Sequence, residues 1–167
     1  MHPEACAWIA AHATLDAVSV LDIGGRNVNG TPRPLFPNAT SYTVLDILPG
    51  EGVDIVADAA TWDPGERRWD VLVAAECFEH AEQWQAICRT AYKACVPGGR
   101  FIITTAAPGR PVHSGVDGGP LLHPGEHYGN IAAADLDRVL TGAGWRDVQV
   151  DSRPDPADTR AVATRPA

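Results

Sequence analysis

Residues 19–29 read Ser-Val-Leu-Asp-Ile-Gly-Gly-Arg-Asn-Val-Asn. The run from 20 to 23 is apolar except for Asp22, which is typical of a strand buried on both faces of a parallel sheet. Gly24 and Gly25 follow at once, and because glycine has no Cβ, the backbone can turn sharply there and approach a ligand. A buried strand that leads into an acid and a glycine turn predicts an open α/β sheet with a cofactor site at the carboxyl ends of its strands.

The composition predicts one domain, spanning residues 1–167, that is long enough to bury a substantial core. With 13 basic and 21 acidic residues the net charge is −8, which argues against sequence-independent binding to nucleic acid. No apolar run approaches the roughly 18 residues that span a bilayer, so we predict no membrane partner. The four cysteines include no Cys-x-x-Cys pair and the N-terminus lacks the features of a secretory signal, so we predict a cytoplasmic protein with reduced thiols. The sequence indicates no particular oligomeric state.

Three more short apolar runs each have an acidic residue near or directly after their end. The runs are residues 42–47, 53–57 and 70–75, and the acids are Asp46, Asp58 and Glu76. Because the carboxyl ends of parallel strands meet at one edge of a sheet, we expect these acids to lie near Asp22. Residues 100–105 predict a fifth strand, and the alanine-rich part of residues 1–17 predicts an N-terminal helix. Three prolines within residues 26–41 argue against a regular helix there.

Two amphipathic helices and a hairpin are predicted in the second half of the chain. One helix face has the spacing i, i+3, i+4, i+7 and i+11, formed by Trp84, Ile87, Cys88, Ala91 and Cys95. A Pro-Gly-Gly run ends this helix, and residues 136–143 predict another. Residues 145–152 and 159–165 predict two final antiparallel strands. Residues 107–130 are rich in Gly and Pro and predict a long functional loop.

The order and spacing of five short motifs resemble those of the class I S-adenosylmethionine-dependent methyltransferases, over nearly the whole chain. The motifs are Leu21-Asp-Ile-Gly-Gly25, Leu45-Asp-Ile47, Ala57-Asp-Ala59, Glu76-Cys-Phe-Glu-His80 and Pro97-Gly-Gly-Arg-Phe101. The resemblance implies a Rossmann-like, open and mostly parallel sheet of about seven strands, with a C-terminal antiparallel hairpin and helices on both faces. It also implies that residues 107–130 form the active-site loop.

The resemblance implies a set of residues that bind S-adenosylmethionine and its product S-adenosylhomocysteine. The set is Asp22, Gly24, Gly25, Asp46, Ile47, Asp58, Ala59 and Glu76. Asp46 would accept hydrogen bonds from the ribose hydroxyls, Asp58 would contact the adenine amino group, and Asp22 would lie beneath the glycine turn. Alternatively, these three acids are solvated residues at strand ends.

The chain also departs from the family pattern. Arg26 stands where a second glycine is expected, and either pairs with the cofactor carboxylate or points to solvent. The fourth strand is not followed by Asn/Asp-Pro-Pro-Tyr, which argues against N-methylation of nucleic-acid bases. The sulfonium of S-adenosylmethionine is a cation that acidic strand ends suit, which favours a methyl donor over NAD.

The Glu76-to-His80 motif carries the candidate catalytic groups. Glu79 and His80 are predicted to act as a general base or to contact the acceptor. If a helix begins near Glu76, the side chains of Glu76, Glu79 and His80 share one face and can bind Mg²⁺ or Mn²⁺. The motif resembles the metal-binding motif of small-RNA 3′-terminal 2′-O-methyltransferases and of ubiquinone-pathway O-methyltransferases. The resemblance to the RNA enzymes implies a further histidine after the fifth strand, and His127 is the best positional match.

These observations together predict an S-adenosylmethionine-dependent methyltransferase that acts on oxygen of a small-molecule acceptor, with or without a metal ion. The acidic charge favours a small molecule, while the metal motif leaves an RNA terminus open. One alternative is a non-catalytic S-adenosylmethionine-binding protein or partner subunit. A nucleotide-dependent oxidoreductase is disfavoured because the chain lacks Gly-x-Gly-x-x-Gly after its first strand and has no Tyr-x-x-x-Lys.

Overall fold

A seven-stranded mixed sheet organises the computed structural model, which describes residues 1–14 and 16–167. The strands are β1 (Ser19–Ile23), β2 (Ser41–Asp46), β3 (Ile55–Val56), β4 (Trp69–Ala75), β5 (Cys95–Ala106), β6 (Arg146–Pro154) and β7 (Ala157–Thr164). Their order is β3-β2-β1-β4-β5-β7-β6, and β7 runs antiparallel to both of its neighbours. The predicted fold, including the C-terminal hairpin, is confirmed.

The strand order reverses beside β1, which pairs in parallel with β2 on one side and with β4 on the other. Asp22 lies opposite Val44 of β2 and Val73 of β4. The chain therefore leaves the carboxyl ends of β1 and β4 toward opposite faces of the sheet. A crevice at such a switch point is where open α/β sheets bind ligands.

Helices cover both faces of the sheet. The described helices are α1 (Pro3–His12), α2 (Trp84–Ala94) and α3 (Ala133–Gly142), with short 3₁₀ turns at Arg33–Leu35 and Phe78–His80. Successive residues of β1 point to opposite faces of the sheet. Leu21 packs in the cluster that contains residues of α2 and α3, and Val20 packs with Ile9 of α1. Among the described residues, no helix combines the length and the apolar character needed to cross a bilayer.

Several predicted boundaries differ from the observed ones. The helix with the predicted apolar face ends at Ala94, and Cys95 instead begins β5, where it is buried and pairs with Trp69. The third strand is only Ile55–Val56 rather than residues 53–57. Of the N-terminal helix predicted within residues 1–17, Pro3–His12 is helical, and Leu15 lies outside the described residues.

Trp145 ties the helical layer to the sheet, and we expect its removal to destabilise the fold. Its buried indole packs 5.3 Å from the Phe101 ring and donates a hydrogen bond of 3.2 Å to the carbonyl of Cys88. Trp145→Ala should lower the free energy of unfolding by about 3–5 kcal/mol in urea denaturation, because it leaves a large cavity. Leu121→Ala, at a side chain that is 79% exposed, should change it by less than about 0.5 kcal/mol. Equal effects of the two substitutions would contradict this account.

Candidate functional site

One cavity of about 1110 Å³ opens at the carboxyl ends of β1, β2 and β4. The sequence-predicted residues that line it are Asp22, Gly24, Gly25, Asp46, Ile47, Asp58, Ala59, Glu76, His80 and His127. The volume is slightly larger than the roughly 300–1,000 Å³ of typical small-molecule sites. The strand-end acids therefore share one hollow rather than facing separate surfaces.

The glycine turn after β1 passes directly over Asp22. A Cβ on Gly25 would lie 2.4 Å from the carboxyl carbon of Asp22, closer than real Cβ contacts allow. Gly24 has a φ of +72° and donates its N–H to the carbonyl of Leu45 at 2.7 Å. Gly25 therefore has no room for a side chain. Gly24 has no room either, because a Cβ there would meet Cys77, and its positive φ also favours glycine.

Asp22 is a fully buried carboxyl group. The hydroxyl of Tyr42 donates to its Oδ2 at 2.8 Å, while no described residue forms a hydrogen bond with its Oδ1. Burial raises the pKa of Asp22 to about 7, and the nearby charge of Asp46 acts in the same direction. Tyr42 was not among the predicted site residues, because its place in β2 opposite Val20 of β1 is a register that the residue pattern does not reveal.

Asp46 is held by backbone donors at the tip of β2. Its Oδ2 accepts the N–H of Arg26 at 3.1 Å and its Oδ1 accepts the N–H of Leu48 at 2.9 Å. Ile47, which lies between Asp46 and Leu48 in the sequence, is exposed. Asp58 accepts the N–H of Ala60 at 2.8 Å. Each carboxylate oxygen has a second lone pair, so both acids retain acceptor capacity.

Arg26 does not point to solvent as one alternative expected. Its Nη2 donates to the carbonyls of Gly115 and Val116, at 3.0 and 2.9 Å. Only 17% of its side chain is exposed. The glycine turn is thus joined to the long loop over residues 107–130.

The structure places Glu76 in a cluster of its own. No helix begins there; Glu76 has a φ of +53°, and its Oε2 lies 3.4 Å from His2 Nε2 and 3.5 Å from Arg110 Nη2. Buried Asp158 contacts the same His2 and Arg110 at 3.2 and 2.5 Å. Burial opposes ionisation of Glu76, but the hydrogen bond from His2 and the charges of His2 and Arg110 outweigh it and lower its pKa. The expected helical face that joins Glu76 with Glu79 and His80 is therefore wrong.

Glu79 and His80 form a second cluster with His113. Glu79 is fully buried and accepts a hydrogen bond of 2.8 Å from Thr105, and within the part of the chain that the structure describes its Oε1 has no partner. Burial and then the charge of Glu76 raise the pKa of Glu79 to about 8. Burial and then His113 lower the pKa of His80 to about 4. One possible ligand atom from each of Glu79, His80 and His113 lies within 4.8 Å of the others.

The histidine that joins this cluster is His113, not the expected His127. Among the residues that the structure describes, His127 is exposed on the cavity wall and belongs to neither cluster. The ring of His113 lies 5.0 Å from the ring of His80, centroid to centroid. Both histidines lie in the loop formed by residues 107–130. The path of that loop determines which of them lies next to Glu79 and His80.

A family model described as a methyltransferase domain matches residues 2–150. The chain belongs to this methyltransferase family. Its fold matches 1,6-didemethyltoxoflavin-N1-methyltransferase of Burkholderia thailandensis, with a TM-score of 0.70, 18% identity, and coverage of 99% of this chain and 78% of that chain. It also matches an S-adenosylmethionine-dependent methyltransferase of Mesorhizobium loti, with a TM-score of 0.70, 17% identity, and coverage of 95% and 96%. These matches confirm the prediction of a class I S-adenosylmethionine-dependent methyltransferase.

A further solved structure is similar to this methyltransferase in fold alone. Phosphoethanolamine N-methyltransferase 2 of Haemonchus contortus has a TM-score of 0.73 and 12% identity, with coverage of 98% of this chain and 52% of that chain. The methyltransferase described here thus spans about half the length of that enzyme. Among curated proteins, none matches the sequence.

The raised pKa of Asp22 predicts a pH-dependent stability of this methyltransferase. A protonated Asp22 contributes stability that is fully present below the unfolded-state pKa of about 4 and is lost as the pH rises through about 7. Asp22→Asn should remove this loss because the amide oxygen can still accept from Tyr42. Urea denaturation between about pH 5 and about pH 9 should show the wild type losing stability relative to Asp22→Asn. Asp137→Asn, at an exposed residue, should follow the wild type; parallel profiles for all three proteins would contradict the prediction.

Proposed function

We propose that this methyltransferase moves the methyl group of S-adenosylmethionine to an oxygen atom of a small-molecule acceptor. The observation that supports the proposal best is the shared cavity, which joins the strand-end acids Asp22, Asp46 and Asp58 to the imidazoles of His80 and His113. A methyl donor and an acceptor need such adjacent sites because the reaction is an in-line displacement whose rate depends on alignment and on exclusion of water.

The donor side has the groups that an adenosyl sulfonium requires. Asp46, at the tip of β2, would accept hydrogen bonds from the ribose hydroxyls, and Asp58 and Ala59 would flank the adenine. The unpartnered Oδ1 of Asp22 lies beneath the turn at Gly24 and Gly25, where it would orient that turn or receive the amino group. Ile47 and Glu76 complete the proposed set on the cavity wall. S-adenosylmethionine would supply the methyl group and leave as S-adenosylhomocysteine.

The acceptor side offers a neutral imidazole. Because the pKa of His80 is lowered to about 4, the ring is uncharged at neutral pH, and no described residue forms a hydrogen bond with its buried Nδ1. The neutral ring would accept a hydrogen bond from the hydroxyl of the methyl acceptor, while its low pKa makes it a weaker base than an ordinary imidazole. Glu79, whose pKa is raised to about 8, lies within the same cluster and would hold or release a proton there.

The same cluster has the donor set of a divalent cation site. Glu79, His80 and His113 would hold the ion, and the unpartnered oxygen of Glu79 and nitrogen of His80 are suited to that role. The sequence suggested Mg²⁺ or Mn²⁺ held by Glu76, Glu79, His80 and His127. Two imidazoles beside one carboxylate favour Mn²⁺ of these two, because Mg²⁺ prefers oxygen ligands. A cation would lower the pKa of an acceptor hydroxyl.

The proposed partner is a small molecule rather than nucleic acid or a membrane. The net charge of −8 disfavours contact with a phosphate backbone. Two of the matched structures are named as N-methyltransferases, but at 18% and 12% identity that choice of acceptor atom belongs to those enzymes. The cytoplasm is the compartment that we propose, because all four cysteines are free thiols.

Calorimetric titration with S-adenosylhomocysteine tests the donor site. We expect the wild type to bind S-adenosylhomocysteine and not NAD, and Asp46→Ala to weaken that binding by more than about 1 kcal/mol, or roughly fivefold. Asp137→Ala, at an exposed residue of α3, is the control and should bind like the wild type. Unchanged affinity in Asp46→Ala would remove Asp46 from the site. Binding of S-adenosylhomocysteine without turnover of any acceptor would favour the non-catalytic alternative.

Titration with Mn²⁺ tests the cation site and distinguishes the two candidate histidines. We expect His113→Ala to weaken Mn²⁺ binding by at least tenfold or so, because it removes a ligand, and His127→Ala to leave it within about twofold. The reverse result would restore His127 as the ligand. A wild type that binds no Mn²⁺ would overturn the metal-assisted form of the proposal and leave Glu79 and His80 as the general base or as contacts to the acceptor.

A further inference from the structure

Residues 114–119, here termed the cover segment, fold on themselves inside the long loop. The N–H of Ser114 donates to the carbonyl of Gly119 at 2.7 Å, and the N–H of Gly118 donates to the carbonyl of Ser114 at 3.0 Å. Glu126 accepts hydrogen bonds from the Ser114 hydroxyl and the Val116 N–H, at 3.0 and 3.1 Å. The cover segment is thus a closed turn that is fixed to Glu126.

Arg26 connects the cover segment to the glycine turn. Its guanidinium donates to the carbonyls of Gly115 and Val116, while its backbone N–H donates to Asp46. The aliphatic part of the side chain lies against Gly50, where a Cβ would be 2.7 Å from its Cδ. One residue therefore contacts both the tip of β2 and the segment that faces it across the cavity.

Two glycines allow the cover segment to approach the cavity wall closely. A Cβ on Gly118 would lie 2.4 Å from the amide nitrogen of Asn29, and a Cβ on Gly115 would lie 2.9 Å from Cγ of His80. The segment therefore lies against the side chain of Asn29 on one side and against the imidazole of His80 on the other. His113 immediately precedes the segment, so the position of the segment also determines where His113 lies.

We infer that Arg26 is a positioning residue that holds the cover segment against His80 and so completes the acceptor side of the cavity. The inference rests on the proposed function, because it assigns Arg26 to the acceptor half of that site. A guanidinium suits this task because one planar group can serve two successive carbonyls. Without it, those carbonyls would be hydrated and the segment would separate from the wall.

Amide hydrogen exchange on the intact protein tests this role. We expect the amides of Val116 and Gly118 to exchange roughly tenfold faster in Arg26→Ala than in the wild type. The substitution removes the two hydrogen bonds from Arg26 that hold the segment to the cavity wall, so the internal bonds of the segment should open more often. Arg26→Gly, which introduces the glycine that the family pattern has there, should behave in the same way. Arg138→Ala, at an exposed arginine of α3, is the matched control and should exchange like the wild type.

Two further measurements separate positioning from general destabilisation. Amides of β4 should keep their wild-type exchange rates in both Arg26 variants, and so should the amides of α3, which lies away from the cover segment. Unchanged exchange at Val116 and Gly118, or acceleration spread through the sheet, would overturn the inference. Failure of the wild type to bind S-adenosylhomocysteine would instead overturn the proposed function, because the ligand-free exchange rates report on Arg26 independently.

Discussion

The glycine turn above Asp22 is the constraint on which the site depends. Gly24 and Gly25 must pass over a buried carboxyl group, and a side chain at Gly25 would meet it at 2.4 Å. The turn is fixed to β2 by the bond from Gly24 to the carbonyl of Leu45, the residue just before Asp46. Because the turn and the tip of β2 are joined in this way, the residue after the glycines, Arg26, is brought to Asp46 and then reaches across the cavity.

Local sequence patterns were sufficient for the sheet and for one wall of the cavity. An apolar run of strand length that leads into an acidic residue predicts a buried strand. It also predicts that the acid lies at the carboxyl end of that strand. In parallel strands those positions converge, so the common location of Asp22, Asp46 and Asp58 followed without any knowledge of the loops. The boundary at Cys95 was wrong because its apolar character fits a helix face and a buried strand equally well.

The opposite wall could not be predicted because it depends on contacts between distant parts of the chain. The choice between His113 and His127 is decided by where the cover segment lies, and that position depends on Arg26, Asn29 and Glu126. The backbone at Glu76 presents the same difficulty. A left-handed conformation is uncommon outside glycine, and nothing in the residues around Glu76 indicates it.

That conformation of Glu76 has an electrostatic consequence. A left-handed residue costs about 1–2 kcal/mol, but here it directs Glu76 toward His2 and Arg110 while Glu79 packs against Thr105. The two acids are therefore separated into different surroundings, and their pKa values move in opposite directions, downward for Glu76 and up to about 8 for Glu79. The separation is partial, since the charge of Glu76 adds to burial in raising the pKa of Glu79. One short motif thus supplies an ionised carboxylate on the cavity wall and, behind that wall, a fully buried carboxyl group that stays protonated up to about pH 8.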